Sequence, residues 1–243
     1  MSLSLVTLNI ERDTHLDKVV PFLRERMPDV VCLQEVYEED AARIASELEA
    51  KHHFSTRLRT TVDGVIRKEG TVIMSRVPVR SFDTIWYAGL TTEEPPIDPD
   101  SWIRFQFHTQ RFVIVTAAVE KDGDTFHIAT THFPRSEDGE ADNIQRDSLK
   151  MFLEKAASCG EMVLCGDFNA PRGKEIFSAI AEAYMDNVPH EYTTSIDGEF
   201  HRAGPLPLMV DGVFSTPGYR VSQVEMVCGL SDHCALTALI DKA

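Results

Sequence analysis

Short apolar runs rich in β-branched residues recur along nearly the whole chain, and they outnumber the helical patterns. The first two are residues 3–10 (LSLVTLNI) and 29–36 (DVVCLQEV), and several more follow between residues 54 and 128. Three runs close the chain, at residues 208–214 (LMVDGVF), 219–227 and 234–240. Runs of this length and composition, bounded by turn residues, are typical of strands. The pattern therefore predicts a protein built on β-sheets.

Helical patterns are fewer and lie between the strands. Residues 15–27, 38–50 and 143–158 carry helical patterns, although Pro21 disturbs the first. No repeat or low-complexity linker interrupts the order of elements. We therefore expect an α/β (α+β) fold in which residues 1–243 form a single domain of two packed, mainly antiparallel sheets flanked by helices.

Shorter signals predict the strand boundaries in the middle of the chain. Residues 70–79 (GTVIMSRVPV) and 102–108 (WIRFQFH) resemble strands, and the Lys-Asp-Gly-Asp stretch at 121–124 is typical of a hairpin turn. The segment from Trp86 to Trp102 combines aromatic residues with an acidic, Pro-rich loop. It is consistent either with a rim that stacks against substrate or with a core hairpin that has a solvated tip.

The net charge of −15 limits the classes of partner. Nonspecific binding of nucleic acid requires clustered Lys and Arg, so a broad basic face is excluded, although a local basic patch is not. No segment has the apolar length of a membrane span, and the N-terminus lacks a basic region followed by a long apolar core. These features predict a soluble, cytoplasmic protein without a membrane span, and a monomer is favoured.

The five cysteines form no Cys-x-x-Cys pair. Cys32, Cys165 and Cys228 lie in apolar, strand-like runs, which favours buried, reduced thiols. A reducing compartment is then expected.

Polar residues recur at or just beyond the ends of the apolar runs. They are Asn9, Glu35, His132, Asp167, Asn169, Asp211, Asp232 and His233. Each alone has an ordinary explanation as a cap, a turn residue or a buried histidine. Asp167 and Asn169, for example, stand in a Gly-Asp-Phe-Asn stretch that any tight turn could contain. Their repetition at six strand ends favours a common ligand site, because strand ends that converge are where such sites form.

All of these residues except Asp211 stand in five ordered motifs that resemble the endonuclease/exonuclease/phosphatase superfamily. The motifs are TLN (Thr7–Asn9), LQE (Leu33–Glu35), TTHF (Thr130–Phe133), GDFN (Gly166–Asn169) and SDH (Ser231–His233). The superfamily includes deoxyribonuclease I, abasic endonucleases, inositol polyphosphate 5-phosphatases, neutral sphingomyelinases and tyrosyl-DNA phosphodiesterases. The resemblance implies a four-layer α/β/β/α sandwich of the deoxyribonuclease I type and metal-dependent hydrolysis of phosphoesters.

The residue types suit that chemistry. Glu35 is the best candidate ligand for Mg²⁺, with Mn²⁺ as a substitute, and Asn9 and Asp232 are its candidate helpers. Asp167 would orient or deprotonate the attacking water, and Asn169 would donate to that water or to a phosphate oxygen. His233 would bind the phosphate as an imidazolium. The resemblance implies that Asp211 is the partner of His233 and that His132 is a second histidine on the phosphate.

The sequence leaves the substrate open. The THFPRSEDG stretch replaces the Tyr-containing loop of abasic endonucleases, and Gln145 and Ser148, rather than Arg146, occupy the register of a phosphate-binding helix. Among the nearby basic residues, Arg12, Arg135 and Arg172 are candidate substrate contacts, and Arg76 and Arg202 are further ones. A phosphodiesterase acting on nucleic acid ends or short strands competes with a phosphatase of a small molecule or lipid head group such as an inositol phosphate. An inactive binding module is the remote alternative.

Overall fold

The computed structural model describes residues 2–98 and 106–243, and it places their strands in two six-stranded sheets. The first sheet has the order β11-β12-β1-β2-β4-β3. Its strands are β1 (Leu3–Asn9), β2 (Val30–Tyr37), β3 (Lys51–Val62), β4 (Val65–Ser75), β11 (Tyr219–Val227) and β12 (Ala235–Lys242). Within this sheet β1 and β2 are parallel, and the other neighbouring strands are antiparallel.

The second sheet has the order β5-β6-β7-β8-β10-β9. Its strands are β5 (Val79–Gly89), β6 (Arg111–Lys121), β7 (Asp124–His132), β8 (Val163–Asp167), β9 (Met185–Asp186) and β10 (Asp211–Ser215). Here β7 and β8 are parallel, and the remaining pairs are antiparallel. Each sheet therefore contains one parallel pair within an antiparallel frame.

The helices cover the outer faces of the two sheets. They are α1 (Leu16–Arg26), α2 (Glu38–Glu47), α3 (Gln106–Thr109), α4 (Asn143–Ser158) and α5 (Glu175–Ala183). Buried residues of α1 and α2 pack with β1, β2 and β4, whereas those of α4 and α5 pack with β7, β8 and β10. The inner faces of both sheets form a third apolar cluster between them, where Leu5 and Val115 are buried. The predicted four-layer α/β/β/α sandwich is confirmed.

Several predicted elements are confirmed with revised boundaries. Pro21 lies inside α1 without ending the helix. The 121–124 stretch is a hairpin turn between β6 and β7, and Asp122 and Gly123 have the positive φ angles of 52° and 90° that such a turn needs. The run predicted from residue 208 becomes a strand only at Asp211. The 70–79 run covers the end of β4 and the start of β5.

The strand predicted over 102–108 is wrong where the structure describes it, because residues 106–109 form the short helix α3. The rest of that run lies outside the described residues. In the Trp86–Trp102 segment, Trp86 packs against the apolar cluster between the sheets, as expected of a core hairpin. Trp102 lies outside the described residues. Within the described ranges, every helix is too short or too polar to cross a bilayer.

The prediction that Cys228 is a reduced thiol is wrong, because Cys228 and Cys234 form a disulfide. The register of β11 and β12 explains the pairing. Val227 lies opposite Ala235 in these antiparallel strands, so the residues just beyond them face each other, with Cα atoms 4.3 Å apart. Cys32 and Cys165 are buried free thiols, as predicted.

Candidate active site

The predicted residues converge on one cavity with a volume of about 680 Å³. Ten of them line it: Asn9, Arg12, Glu35, His132, Arg135, Asp167, Asn169, Arg202, Asp232 and His233. Asp211 lies directly behind His233. Part of the lining is apolar and comes from Ile196, Leu206, Pro207, Leu208 and Val210.

Strand register brings these side chains together. In the first sheet, Asn9 is the partner of Gln34 on the parallel strand β2, and Glu35 follows directly. In the second sheet, Asp167 lies between His132 on β7 and Asp211 on β10. The Nδ2 group of Asn9 donates a hydrogen bond of 3.1 Å to Oδ2 of Asp167. This bond joins the ends of the two sheets within the site.

Glu35 reaches the cavity because β2 is irregular at this point. The pairing of β2 with β4 shifts between Leu33 and Val36, and Glu35 has a φ angle of 53°. A positive φ angle costs a residue other than glycine about 1–3 kcal/mol and persists only where its surroundings impose it. The backbone N–H of Arg12 donates to the Glu35 carbonyl at 2.8 Å and helps to hold this conformation.

The Gly-Asp-Phe-Asn stretch is both a tight turn and part of the site. Gly166 has a φ angle of 134°, and a Cβ atom there would lie 2.1 Å from a β7 carbonyl oxygen. Oδ1 of Asp167 accepts a hydrogen bond of 2.8 Å from the Asn169 backbone, which leaves Oδ2 facing the cavity. The Asn169 carbonyl accepts from Gln145, whose side chain therefore holds the turn. Arg146 instead forms an exposed ion pair with Glu175.

Two histidines flank Oδ2 of Asp167, the oxygen that also accepts from Asn9. Nε2 of His132 lies 3.5 Å from Oδ2 of Asp167, and Nε2 of His233 lies 3.9 Å from the same atom. Burial raises the pKa of Asp167, and the nearby charge of Asp211 adds to this effect, although His233 opposes it. Asp167 therefore binds a proton more readily than an ordinary aspartate.

The two histidines differ in charge. Nδ1 of His233 lies 2.7 Å from Oδ2 of Asp211. Burial alone would lower the pKa of His233, but Asp211 and Asp167 outweigh it and raise the pKa well above its usual value. Burial and the charge of Arg57 lower the pKa of His132 to about 3. At neutral pH the site thus holds one imidazolium and one neutral imidazole.

The oxygen atoms near Glu35 fit a hard divalent cation. Burial would raise the pKa of Glu35, but Arg57 and Arg12 outweigh it and lower the pKa. Burial raises the pKa of Asp232 to about 6, and Glu35 adds to this while His233 opposes it. A cation bound near both carboxylates would offset the repulsion between their negative charges. Carboxylate and amide oxygens are also the donors that Mg²⁺ prefers.

A different cluster in the site has the proximity of metal ligands. Ligand atoms of Asp167, Asp211 and His233 lie within 4.8 Å of one another. The 2.7 Å bond between His233 and Asp211 already uses one atom of each, so a cation there would have to replace this bond. The donor chemistry therefore favours the Glu35 side of the cavity.

A comparison with family models decides the family. The model described as the Endonuclease/Exonuclease/phosphatase family matches residues 6–233. The chain belongs to this family. Its members are phosphoester hydrolases that generally use divalent metal ions. No curated protein sequence matches the chain.

Solved structures support the same fold at low sequence identity. An endonuclease/exonuclease/phosphatase protein from Beutenbergia cavernae is 20% identical, with a TM-score of 0.77 over 100% of this chain and 72% of its own. A mannosyl-6-phosphatase from Bacteroides thetaiotaomicron is 13% identical, with a TM-score of 0.73 over 99% of this chain and 100% of its own. The human nocturnin catalytic domain, with bound sulfate, is 17% identical, with a TM-score of 0.67 over 100% of this chain and 94% of its own.

Sequence reasoning missed the charged pair Arg57 and Glu69. Glu69 is fully buried and accepts hydrogen bonds from Arg57 and, at 2.7 Å, from Nε of Arg12. Arg57 lines the cavity, and its NH2 group lies 3.7 Å from Glu35. The pairing of β3 with β4 shifts between Thr56 and Leu58, on either side of Arg57. The available signal was that Glu69 directly precedes the apolar run at residues 70–79.

The structure does not bring Arg172 to the cavity, so its predicted contact with substrate is not supported. Its guanidinium donates to backbone carbonyl oxygens of Val188, Pro189 and Tyr192, and it lies 3.0 Å from the carboxylate of Asp186. These bonds satisfy a loop that would otherwise leave its carbonyl groups unpaired.

Proposed function

We propose that this protein is a Mg²⁺-dependent phosphoesterase that hydrolyses its substrate by in-line attack of water, most readily as a phosphodiesterase of the nuclease type. The observation that carries the proposal is the convergence of Asp167, Glu35 and the His233–Asp211 pair on one cavity. We further propose that residues 1–243 act as a single domain and as a monomer.

In this proposal Glu35, Asn9 and Asp232 hold the cation, and Mn²⁺ can replace Mg²⁺. The cation supplies neutralisation of the phosphate charge and stabilisation of the leaving oxygen. The positive charges of Arg57 and Arg12, whose guanidinium groups both donate to the buried Glu69, lower the pKa of Glu35. These buried charges hold the ligand in its ionised form.

Asp167 orients the attacking water and accepts its proton. Its raised pKa suits a general base, because a base is most effective when its pKa approaches the working pH. Asn9 and the backbone of Asn169 fix the carboxylate from both sides. One hydrogen of the Asn169 side-chain amide donates to the Phe133 carbonyl, and the other is assigned to water or phosphate.

The histidines bind the phosphate. His233 donates from Nε2 as an imidazolium, and Asp211 fixes its ring through Nδ1. A positive charge at this position stabilises the negative charge that develops on the phosphate oxygens. Neutral His132 adds a hydrogen-bond donor, and Arg12 and Arg135 contribute charge along the lining.

A phosphatase acting on a small molecule or lipid head group is the second candidate. The cavity volume of about 680 Å³, partly lined by apolar side chains, favours it because such a pocket can enclose a small ligand. A similar fold also belongs to a mannosyl-6-phosphatase. An inactive binding module is disfavoured by the complete set of acid, amide and imidazole groups.

Hydrolysis of bis(p-nitrophenyl) phosphate in Mg²⁺ or Mn²⁺ tests the proposal. We expect turnover that EDTA abolishes and that added metal restores. Glu35→Gln should weaken metal binding in calorimetry and lower the rate. Activity that is unaffected by EDTA, or a wild-type protein inert across a broad phosphoester panel with both metals, would refute metal-dependent hydrolysis.

A panel of substrates ranks the two candidates. It compares single-stranded DNA, abasic duplex, 5′-phosphotyrosyl DNA and inositol phosphates by kcat/KM. The phosphodiesterase proposal predicts the highest kcat/KM for the DNA ends, whereas the alternative predicts the highest kcat/KM for an inositol phosphate.

A further inference from the structure

Two arginines, Arg135 and Arg202, line the cavity beside the residues assigned to hydrolysis. Arg135 lies beyond the end of β7, and Arg202 belongs to the long connection between β9 and β10. His201 lines the cavity next to Arg202. The proposed mechanism uses no positively charged side chain from this connection, so it gives Arg202 no role.

Hydrogen bonds hold the backbone of Arg135 and the residues next to Arg202. Gln106 is buried, and its side chain accepts from the Arg135 N–H at 3.2 Å and donates to the Arg135 carbonyl at 2.8 Å. The turn that carries Arg202 is built on Asp197, whose carbonyl oxygen accepts from the N–H groups of Phe200 and His201. Preorganised groups bind with a smaller entropic cost than flexible ones.

The charge of Arg202 is compensated differently from those of several arginines elsewhere in this acidic protein. Arginines such as Arg67 and Arg146 form ion pairs with carboxylates. Among the side chains that the structure describes, no carboxylate forms an ion pair with Arg202. Burial and the positive charge of Arg57 lower the pKa of Arg135, and Arg202 adds to this effect, although the charge of Glu35 opposes it. An anion bound here would relieve the repulsion among like charges.

We propose that Arg135 and Arg202 form a second anion-binding subsite, which recognises a second phosphate group on the substrate beside the phosphoester that is hydrolysed. This inference rests on the proposed function for the location of the first phosphate. It predicts substrates that carry two phosphate groups, with the cavity binding both at once. Arginine suits this role because its planar guanidinium binds phosphate with two parallel hydrogen bonds.

Binding measured without turnover tests the subsite. The probes are alkanediol bisphosphates of increasing chain length, each compared with its own monophosphate by calorimetry in EDTA. For at least one chain length, we expect the wild-type protein to bind the bisphosphate about tenfold more tightly than the monophosphate, a difference of about 1.4 kcal/mol. Arg202→Gln should remove most of this gain while leaving monophosphate affinity nearly unchanged.

Arg220→Gln is the matched control, because Arg220 is an exposed arginine on β11 that does not line the cavity. It should retain the full preference for the bisphosphate. Arg135→Gln supplies a second variant and should also reduce the gain. The inference is overturned if no bisphosphate exceeds its monophosphate, or if the gain survives both Arg202→Gln and Arg135→Gln.

The outcome is separable from that of the proposed function. A protein that prefers bisphosphates but hydrolyses no phosphoester would retain the subsite and refute the hydrolase. A protein that hydrolyses phosphoesters but shows no preference for bisphosphates would support the hydrolase and refute the subsite.

Discussion

Replacing Glu69 with Gln should destabilise the protein strongly. Glu69 is fully buried and compensates the charge of Arg57, which is also buried, and of Arg12, which donates to it at 2.7 Å. Removing one partner of a buried ion pair leaves an uncompensated charge and costs about 3–5 kcal/mol. For a chain of this size, each kcal/mol lowers Tm by about 2–4 °C. The expected fall is therefore about 6–20 °C.

Thermal and urea denaturation of Glu69→Gln and Glu94→Gln measure this difference. Glu94 is the matched control, because its exposed carboxylate pairs with Arg59 and Lys68. Exposed pairs contribute about 0–1 kcal/mol, so its Tm should change little. Equal Tm values for Glu69→Gln and the wild type would refute the argument that this buried charge holds the site together.

Three further measurements test separate parts of the structure. Thiol titration of the unfolded, unreduced protein should detect three free cysteines, because Cys228 and Cys234 are paired, whereas five would contradict the disulfide. Burial raises the pKa of Asp29, but hydrogen bonds from Lys121 and Ser4 outweigh burial and lower this pKa. The stability that the Asp29 carboxylate contributes is therefore present above its pKa in the unfolded chain. Asp29→Asn should cost about 1–3 kcal/mol at pH 7 in urea denaturation, and this difference should shrink as the pH falls through the folded pKa. Gly166→Ala should lower stability in the same assay by about 1–3 kcal/mol, because its Cβ would meet a backbone oxygen.

The proximity of the candidate site residues was predictable where polar residues follow apolar strands. Asp167 and His132 end neighbouring parallel strands, so their proximity follows from sheet geometry once the strands are assigned. The ordered motifs then predicted the layers of the fold. The proximity of Asn9 and Glu35 was predictable for the same reason, since β1 and β2 are also parallel neighbours.

Features that depend on register were not predictable. Arg57 enters the cavity at a shift in strand pairing, and a shift of one residue would turn its side chain to the opposite face. The disulfide depends on which residues of β11 and β12 face each other. Arg172 follows the GDFN motif closely in sequence, yet its guanidinium binds loop carbonyls that no local pattern reveals.

The rate of Asp167→Asn tests the central claim most directly. The measurement is kcat/KM for bis(p-nitrophenyl) phosphate in Mg²⁺, with the folded state verified by Tm. A general base contributes about 10²–10⁴-fold, so we predict a loss of that size. Asp124→Asn, at an exposed carboxylate of the β6–β7 hairpin, should retain the wild-type rate. A folded Asp167→Asn protein with the wild-type rate would contradict the claim that this cavity activates water for phosphoester hydrolysis.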